Sequence, residues 1–371
     1  MRTKICDMLG IDVPIFAFSH CRDVVVEAGK SGGLGVLGAA TFSPRQLETE
    51  LKWIDEHLDG RPYGIDIIMP NNTKLSGDLS TVDFDKVLPK EHRDFVEQIL
   101  ERQHVPPLPE DEIAQIVREQ LDAMKVTREG AEELMEVALG HASVKLVVNA
   151  MGIPPKQSVE RLHKAGILVA SLVGTVDHAI NQVAAGIDVI IAVGTEAGGH
   201  AGGISTMVLV PRVVDAVTPV PVLAAGGIGR GRQVVAGLAL GAQGVWCGTI
   251  WLGTAQSDLT PGEKDIIFAA DESDAVVRRV YSGKTCRVIR NDFTEAWEQP
   301  GAPEPLPYPL QPLLTIEALA RIDRSNRADL AFLPAGQVVA DVRQPTSVRQ
   351  IYYDMLSEFS ETVESLRKLT E

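Results

Sequence analysis

Basic charge is scarce in this chain. Its 35 Lys and Arg stand against 50 Asp and Glu, a net charge of −15, so no broad basic surface is expected for nucleic-acid phosphates. Cysteine is scarcer still. Cys6, Cys21, Cys247 and Cys286 lie far apart, with no C-x-x-C pair and no metal-ligand spacing, which argues against a disulfide framework or a zinc ribbon and for a reducing compartment. No run of about 20 apolar residues could span a bilayer. The start MRTKICDMLG, interrupted by Asp7, lacks the apolar segment of a signal peptide. Together these absences predict a cytoplasmic protein with neither a membrane nor a nucleic-acid partner. Motifs of the G-x-S-x-G, H-E-x-x-H and P-loop lysine type are missing as well.

What the 371 residues do contain is a recurring pattern. Eight short apolar runs are each followed by a segment of different character: PIFAF (14–18), LGVLG (34–38), YGIDIIM (63–69), VKLVVNAM (144–151), ILVASLVG (167–174), IDVIIAVG (187–194), PVLAAGG (221–227) and GVWCGT (244–249). Runs without alternation suit parallel strands buried on both faces. Segments such as PKQSVERLHKAG and GRQVVAGLALGA, between the runs, have helical spacing and end in glycine. An open doubly wound sheet shares this alternation. The count of eight and the glycines at strand ends favour a TIM (β/α)8 barrel, assigned to 1–69 and 142–297.

The alternation breaks once. Residues 70–141 hold two charged helix-like stretches, KEHRDFVEQILERQ and PEDEIAQIVREQLDAM, read as a helical insertion after strand three, either a surface elaboration or a lid. Residues 298–371 begin with the proline-rich EQPGAPEPLPYPLQP, an extended arm. They end in one amphipathic helix with Ile351, Met355, Phe359 and Val363 on a face, suited equally to core packing or to a subunit contact in a homo-oligomer.

Chemistry concentrates at the predicted strand ends. Gly226-Gly227 and Cys247-Gly248-Thr249 end strands seven and eight, where barrels commonly bind phosphate through main-chain N–H groups, although tight turns alone would also use glycine there. Arg230 and Arg232 are candidates to add charge. Strand six runs into GTEAGGHAGG, in which five glycines surround Glu196 and His200. Bare backbone leaves room for a flat ligand, and an imidazole beside it can move protons. Glu196 either orients the loop by accepting N–H bonds or faces solvent. His20, beside strand one, is a second candidate for the pocket.

The stretches GTEAGGHAGG and PVLAAGGIGRGRQVVAGLALGAQGVWCGT, with KSGGLGVLGAA, PYGIDI and AGQVV at 335–339, resemble the nitronate monooxygenase family and the related flavin-dependent enoyl-ACP reductases. The resemblance covers most of the chain outside 70–141 and the last turns. It implies a TIM barrel binding FMN, with the phosphate near Gly226, Gly227, Cys247, Gly248 and Thr249, and with Gly198 and Gly199 passing beside the cofactor. It implies His200 as the catalytic proton-transfer or substrate-orienting group, and Asp66 where the family usually has a flavin-contacting asparagine. The implied reaction is oxidation of alkyl nitronates by O2 to a carbonyl compound and nitrite. The alternative is an NAD(P)H-dependent reductase of an enoyl-CoA or enoyl-ACP C=C bond. A phosphometabolite isomerase or lyase on the same fold, or a non-catalytic flavin-binding module, remains open on the residues alone. The chain departs from the family pattern at Val193, in place of a glutamine, and at Trp246 and Ile250, in place of the Gln and Arg of Gln-x-Gly-Thr-Arg.

Overall fold

The computed structural model describes residues 1–69, 87–124 and 128–371. Eight parallel strands pair in chain order: β1 (Ile15–Ser19), β2 (Leu34–Gly38), β3 (Tyr63–Ile67), β4 (Val144–Asn149), β5 (Leu168–Val173), β6 (Val189–Val193), β7 (Val222–Ala225) and β8 (Gly244–Cys247). Strand β1 closes on β8 through Ile15↔Val245 and Ala17↔Cys247. Each strand falls on one of the eight apolar runs, β1 reaching one residue past its run to Ser19, and the closed barrel rules out the open sheet. Phe16, Val36, Val148, Ile191 and Leu223 point into the barrel, whereas Ile15, Leu37, Val147, Ile190 and Val245 face the surrounding helices. The helix Lys4–Leu9 seals the bottom, its Ile5, Cys6 and Leu9 joining the interior cluster.

The two charged stretches between strands three and four fold as helices Lys90–Arg102 and Glu110–Met124. The helix Arg128–Leu139 follows them and packs Leu134, Met135 and Ala138 into the outer core of the barrel. Val96, Ile99 and Leu100 belong instead to a second core, with Phe293, Trp297 and Ile322. This core is built mainly from chain that follows β8: an antiparallel pair, β9 (Ala275–Arg278) and β10 (Cys286–Ile289), and the helix Leu310–Arg324. Arg321, on that helix, has a buried side chain that donates to both Glu97 carboxylate oxygens and to the carbonyls of Val105 and Pro106.

Removing the guanidinium leaves the buried Val105 carbonyl without that donor, while the exposed Glu97 carboxylate and Pro106 carbonyl turn to water. Arg321→Ala is therefore expected to cost about 1–3 kcal/mol of stability, measured by urea denaturation. An unchanged midpoint would show that water substitutes fully.

The tail helix, Val348–Arg367, packs on the helices Gly231–Ala239 and Arg22–Lys30. A Cβ on Gly231 would lie 2.2 Å from the Met355 carbonyl, so only glycine permits this approach. Of the face expected from the spacing, Met355 is buried and Ile351 and Phe359 pack against the barrel's outer core, whereas Val363 is 43% exposed. Val348 and Tyr352 join the buried side, Tyr352 donating to the Ile15 carbonyl at 3.0 Å and stacking on Trp251. Among the described residues no helix is long and apolar enough to cross a membrane.

Candidate active site

The loop after β6 is fastened on three sides. Thr195 N–H donates to the Ile204 carbonyl, and the Glu196 carboxylate accepts from Thr206 N–H and its hydroxyl. Glu196 thus caps the helix Thr206–Val217, the orienting role among its two expected ones. A Cβ on Gly194 would lie 2.0 Å from the Thr206 hydroxyl, and one on Gly198 2.7 Å from the backbone between Ala335 and Gly336. Gly336 N–H in turn donates to the Thr249 hydroxyl at 2.8 Å. Gly199 (φ +70°) exchanges two main-chain bonds with Arg287 on β10, at 2.9 and 2.8 Å. The Arg287 guanidinium donates to the Thr195 carbonyl. Much of the glycine in this loop therefore serves close backbone packing.

His200 stands at the end of this clamp with an exposed ring. Its Nδ1 lies 2.8 Å from the Thr285 carbonyl in the β9–β10 turn. A carbonyl only accepts, so Nδ1 carries a proton, and in the neutral form of the ring Nε2 is the bare acceptor. That is the tautomer a general base requires.

Inside the mouth, Asp66 projects from β3 between Gly38 and Val148 of the neighbouring strands. It is 4% exposed, and its Oδ1 has no hydrogen-bond partner. Burial raises its pKa well above the usual carboxylate range. Burial thus favours the neutral acid, which donates as well as accepts, much as an amide does. His20 folds over the adjacent strand end, with Nδ1 2.9 Å from the Gly38 carbonyl and its ring edge-on to Phe18 at 5.3 Å. A Cβ on Gly38 would collide with that ring at 2.7 Å. Phe18 stacks at 5.6 Å on Trp246, which joins Val193 in the interior cluster. The departures at Val193 and Trp246 thus make an apolar floor. Ile250 points outward into the barrel's outer core, against Gly229.

At the ends of β7 and β8, Gly226 (φ +101°) and Gly227 (φ +68°) turn the chain back. Among the described residues, the main-chain N–H groups of Gly226, Gly227, Gly248 and Thr249 donate to no main-chain carbonyl or side chain. Among the described residues, the only atom within 4 Å of a Cβ built on Gly248 is a Phe18 ring carbon at 3.9 Å. The cavity of about 470 Å³ that borders Gly226 and Gly227 also carries Glu196, Glu272 and Asp341 and no Lys or Arg. An anion is repelled from that cavity and suits the other side of the turn. Arg230 and Arg232 are both taken by Glu358 of the tail helix, at 2.8 and 2.5 Å. The Cys247 thiol faces the outer core, where burial pushes its pKa up to about 12, leaving only its main chain at the strand end.

Two groups at this mouth had no signal in the sequence. Thr285 contributes only a carbonyl. Lys284 holds its ammonium 4.5 Å over the Tyr308 ring and 3.7 Å from the Met151 sulfur, and it forms no ion pair among the described residues.

The sequence profile of the nitronate monooxygenase family matches residues 19–358. A protein of Mycobacterium tuberculosis whose name places it provisionally among the monooxygenases is 43% identical over the full length of both chains. A Staphylococcus aureus protein named a probable nitronate monooxygenase is 32% identical over 91% of each. Among solved structures, a nitroalkane oxidase from Streptomyces ansochromogenes is similar at 26% identity, with a TM-score of 0.78 over 98% of this chain and 99% of that one. FabK from Thermotoga maritima is similar at 26% identity, with a TM-score of 0.74 over 100% and 99%. The chain therefore belongs to the nitronate monooxygenase family of oxidoreductases.

Proposed function

We propose that the barrel mouth binds FMN and that the enzyme oxidises alkyl nitronates with O2 to a carbonyl compound and nitrite. The observation that carries this assignment is the set of four unbonded main-chain N–H groups at Gly226, Gly227, Gly248 and Thr249. Converging main-chain donors hold a phosphate without any lysine or arginine. Cys247 contributes its backbone to the same strand end, and the clear space above Gly248 admits a flat ligand. Gly198 and Gly199 of the β6 loop complete the proposed cofactor site. The orphaned, neutral Asp66 supplies a polar partner of the kind a flavin ring edge needs. A flavin held there by these groups would supply the two-electron redox chemistry between substrate and O2.

The remaining work falls to side chains. His200 presents Nε2 to the substrate, taking the α-proton of a neutral nitroalkane or, once protonated, donating to a nitronate oxygen. The unpaired Lys284 ammonium adds positive potential at the mouth, which favours the anionic nitronate. Phe18 and Trp246 keep the floor apolar.

A second assignment draws on the size of the cavity beside His200. About 960 Å³ is far more than a short nitroalkane fills, and FabK is a structural relative. Under this alternative, NAD(P)H is the reductant and the C=C of an enoyl thioester is reduced. The visible spectrum of the purified protein, followed without oxygen, separates the two. Bleaching by a nitronate but not by NAD(P)H supports the oxidase, and the reverse pattern supports the reductase.

A further inference from the structure

The cavity of about 960 Å³ that includes His200 runs along the helix Leu310–Arg324. Pro312, Thr315, Ile316, Leu319, Ala320 and Asp323 line it from a single face of the helix Leu310–Arg324. Eleven residues of helix rise make that wall about 16 Å long. Thr315 donates to the Tyr281 carbonyl and Gln311 to that of Val280, which sets the β9–β10 turn, and with it His200, beside the first turns of this helix. Arg324 and Arg327 mark the other end, each already paired, with Glu112 and Asp329. Tyr281 and Phe332 also line the cavity, with ring centroids 4.5 Å apart, and Phe332 is 39% exposed.

We propose that this groove binds an aliphatic chain extending from the reacting carbon, so that the preferred substrate is a long-chain alkyl compound with its polar head at His200. The lining decides the chemistry. Ile116, Ile316, Leu319, Ala320, Ala331 and Phe332 offer apolar surface along the wall, whereas Glu119, Glu263 and Asp323 repel an anionic ligand. The cations at the far end already have carboxylate partners, so no phosphate or carboxylate tail is called for there. An uncharged hydrocarbon satisfies all three conditions. The nature of the head group rests on the nitronate assignment; the groove's preference for a chain does not.

The test is a series of primary alkyl nitronates from nitroethane to nitrododecane, assayed with the holoenzyme. Each buried methylene is expected to raise kcat/KM about threefold to fourfold until the groove is filled. Ala320→Phe, at a partly exposed position, is expected to lower the long-to-short ratio at least tenfold while nitroethane turnover holds. A ratio that stays flat along the series, or an Ala320→Phe effect equal for all lengths, would overturn the proposal. Calorimetric titration of wild type and Ala320→Phe with the dodecyl and ethyl nitronates gives a readout independent of turnover. Tight dodecyl binding lost in the variant, with no oxidation of any nitronate, would refute the reaction and keep the groove. Equal, weak binding of both lengths would refute the groove and leave the reaction to its own test.

Discussion

Replacing His200 with asparagine is expected to lower kcat/KM for neutral nitroalkanes by roughly 10²- to 10³-fold, within the usual range for a lost general base. The expected loss for preformed nitronates is smaller, about tenfold, because their α-proton is already gone and only a hydrogen bond to the nitro group disappears. The asymmetry follows from the ring's attachment. Nδ1 is committed to the Thr285 carbonyl, so Nε2 is the reactive nitrogen and asparagine offers nothing basic in its place. The exposed ring packs into no core, so stability and cofactor content should hold. Equal losses for the two substrate forms would remove proton abstraction from the role of His200. No loss for either would remove the residue from the reaction.

Asp66 gives the second large effect. Burial raises its pKa in the folded state, so the native protein binds more protons than the unfolded chain above the ordinary carboxylate pKa of about 3.9. The sign is fixed. This contribution to stability is fully present below about pH 3.9 and is lost as pH rises toward the folded-state pKa. In that window the cofactor-free protein should lose up to about 1.4 kcal/mol per pH unit from this one group. Asp66→Asn abolishes that slope while keeping a side chain that donates and accepts. The variant should therefore be the more stable protein at neutral pH and should still bind FMN. Asp66→Leu keeps the apolar fit but offers no hydrogen bond, and FMN affinity is expected to fall about tenfold. Urea denaturation across pH, with FMN titration at pH 7, checks both. A slope that persists in Asp66→Asn would assign it to another group.

The barrel was legible because its strands are buried on both faces, which forces unbroken apolar runs such as IDVIIAV and VKLVVN. Glycine at the ends of β7 and β8 marked the turn correctly, but the sequence could not reveal that Gly226, Gly227, Gly248 and Thr249 leave their N–H groups unbonded. Nor could it reveal that Arg230 and Arg232 are drawn off by Glu358, well over a hundred residues along the chain. Strands β9 and β10 have four residues each, too few for a period to register. They serve the site through the main chain of Thr285 and through both the main chain and the guanidinium of Arg287, of which the main-chain part leaves little trace in residue type. The tail helix and most of its apolar face were visible in the spacing, yet the contribution of Tyr352 was not, because it depends on its hydroxyl reaching the β1 backbone. The orphaned state of Asp66 is a property of its surroundings, and only three-dimensional burial exposes it.

The most direct test of the flavin-centred assignment is the visible absorbance of the purified protein under anaerobic conditions, as an alkyl nitronate and then NAD(P)H are added to separate samples. The expected result is a yellow protein that bleaches on nitronate, keeps its colour with NADH or NADPH, and recovers on admission of air with release of nitrite. A colourless protein that takes up no FMN, or one bleached by NAD(P)H and indifferent to nitronates, would contradict it.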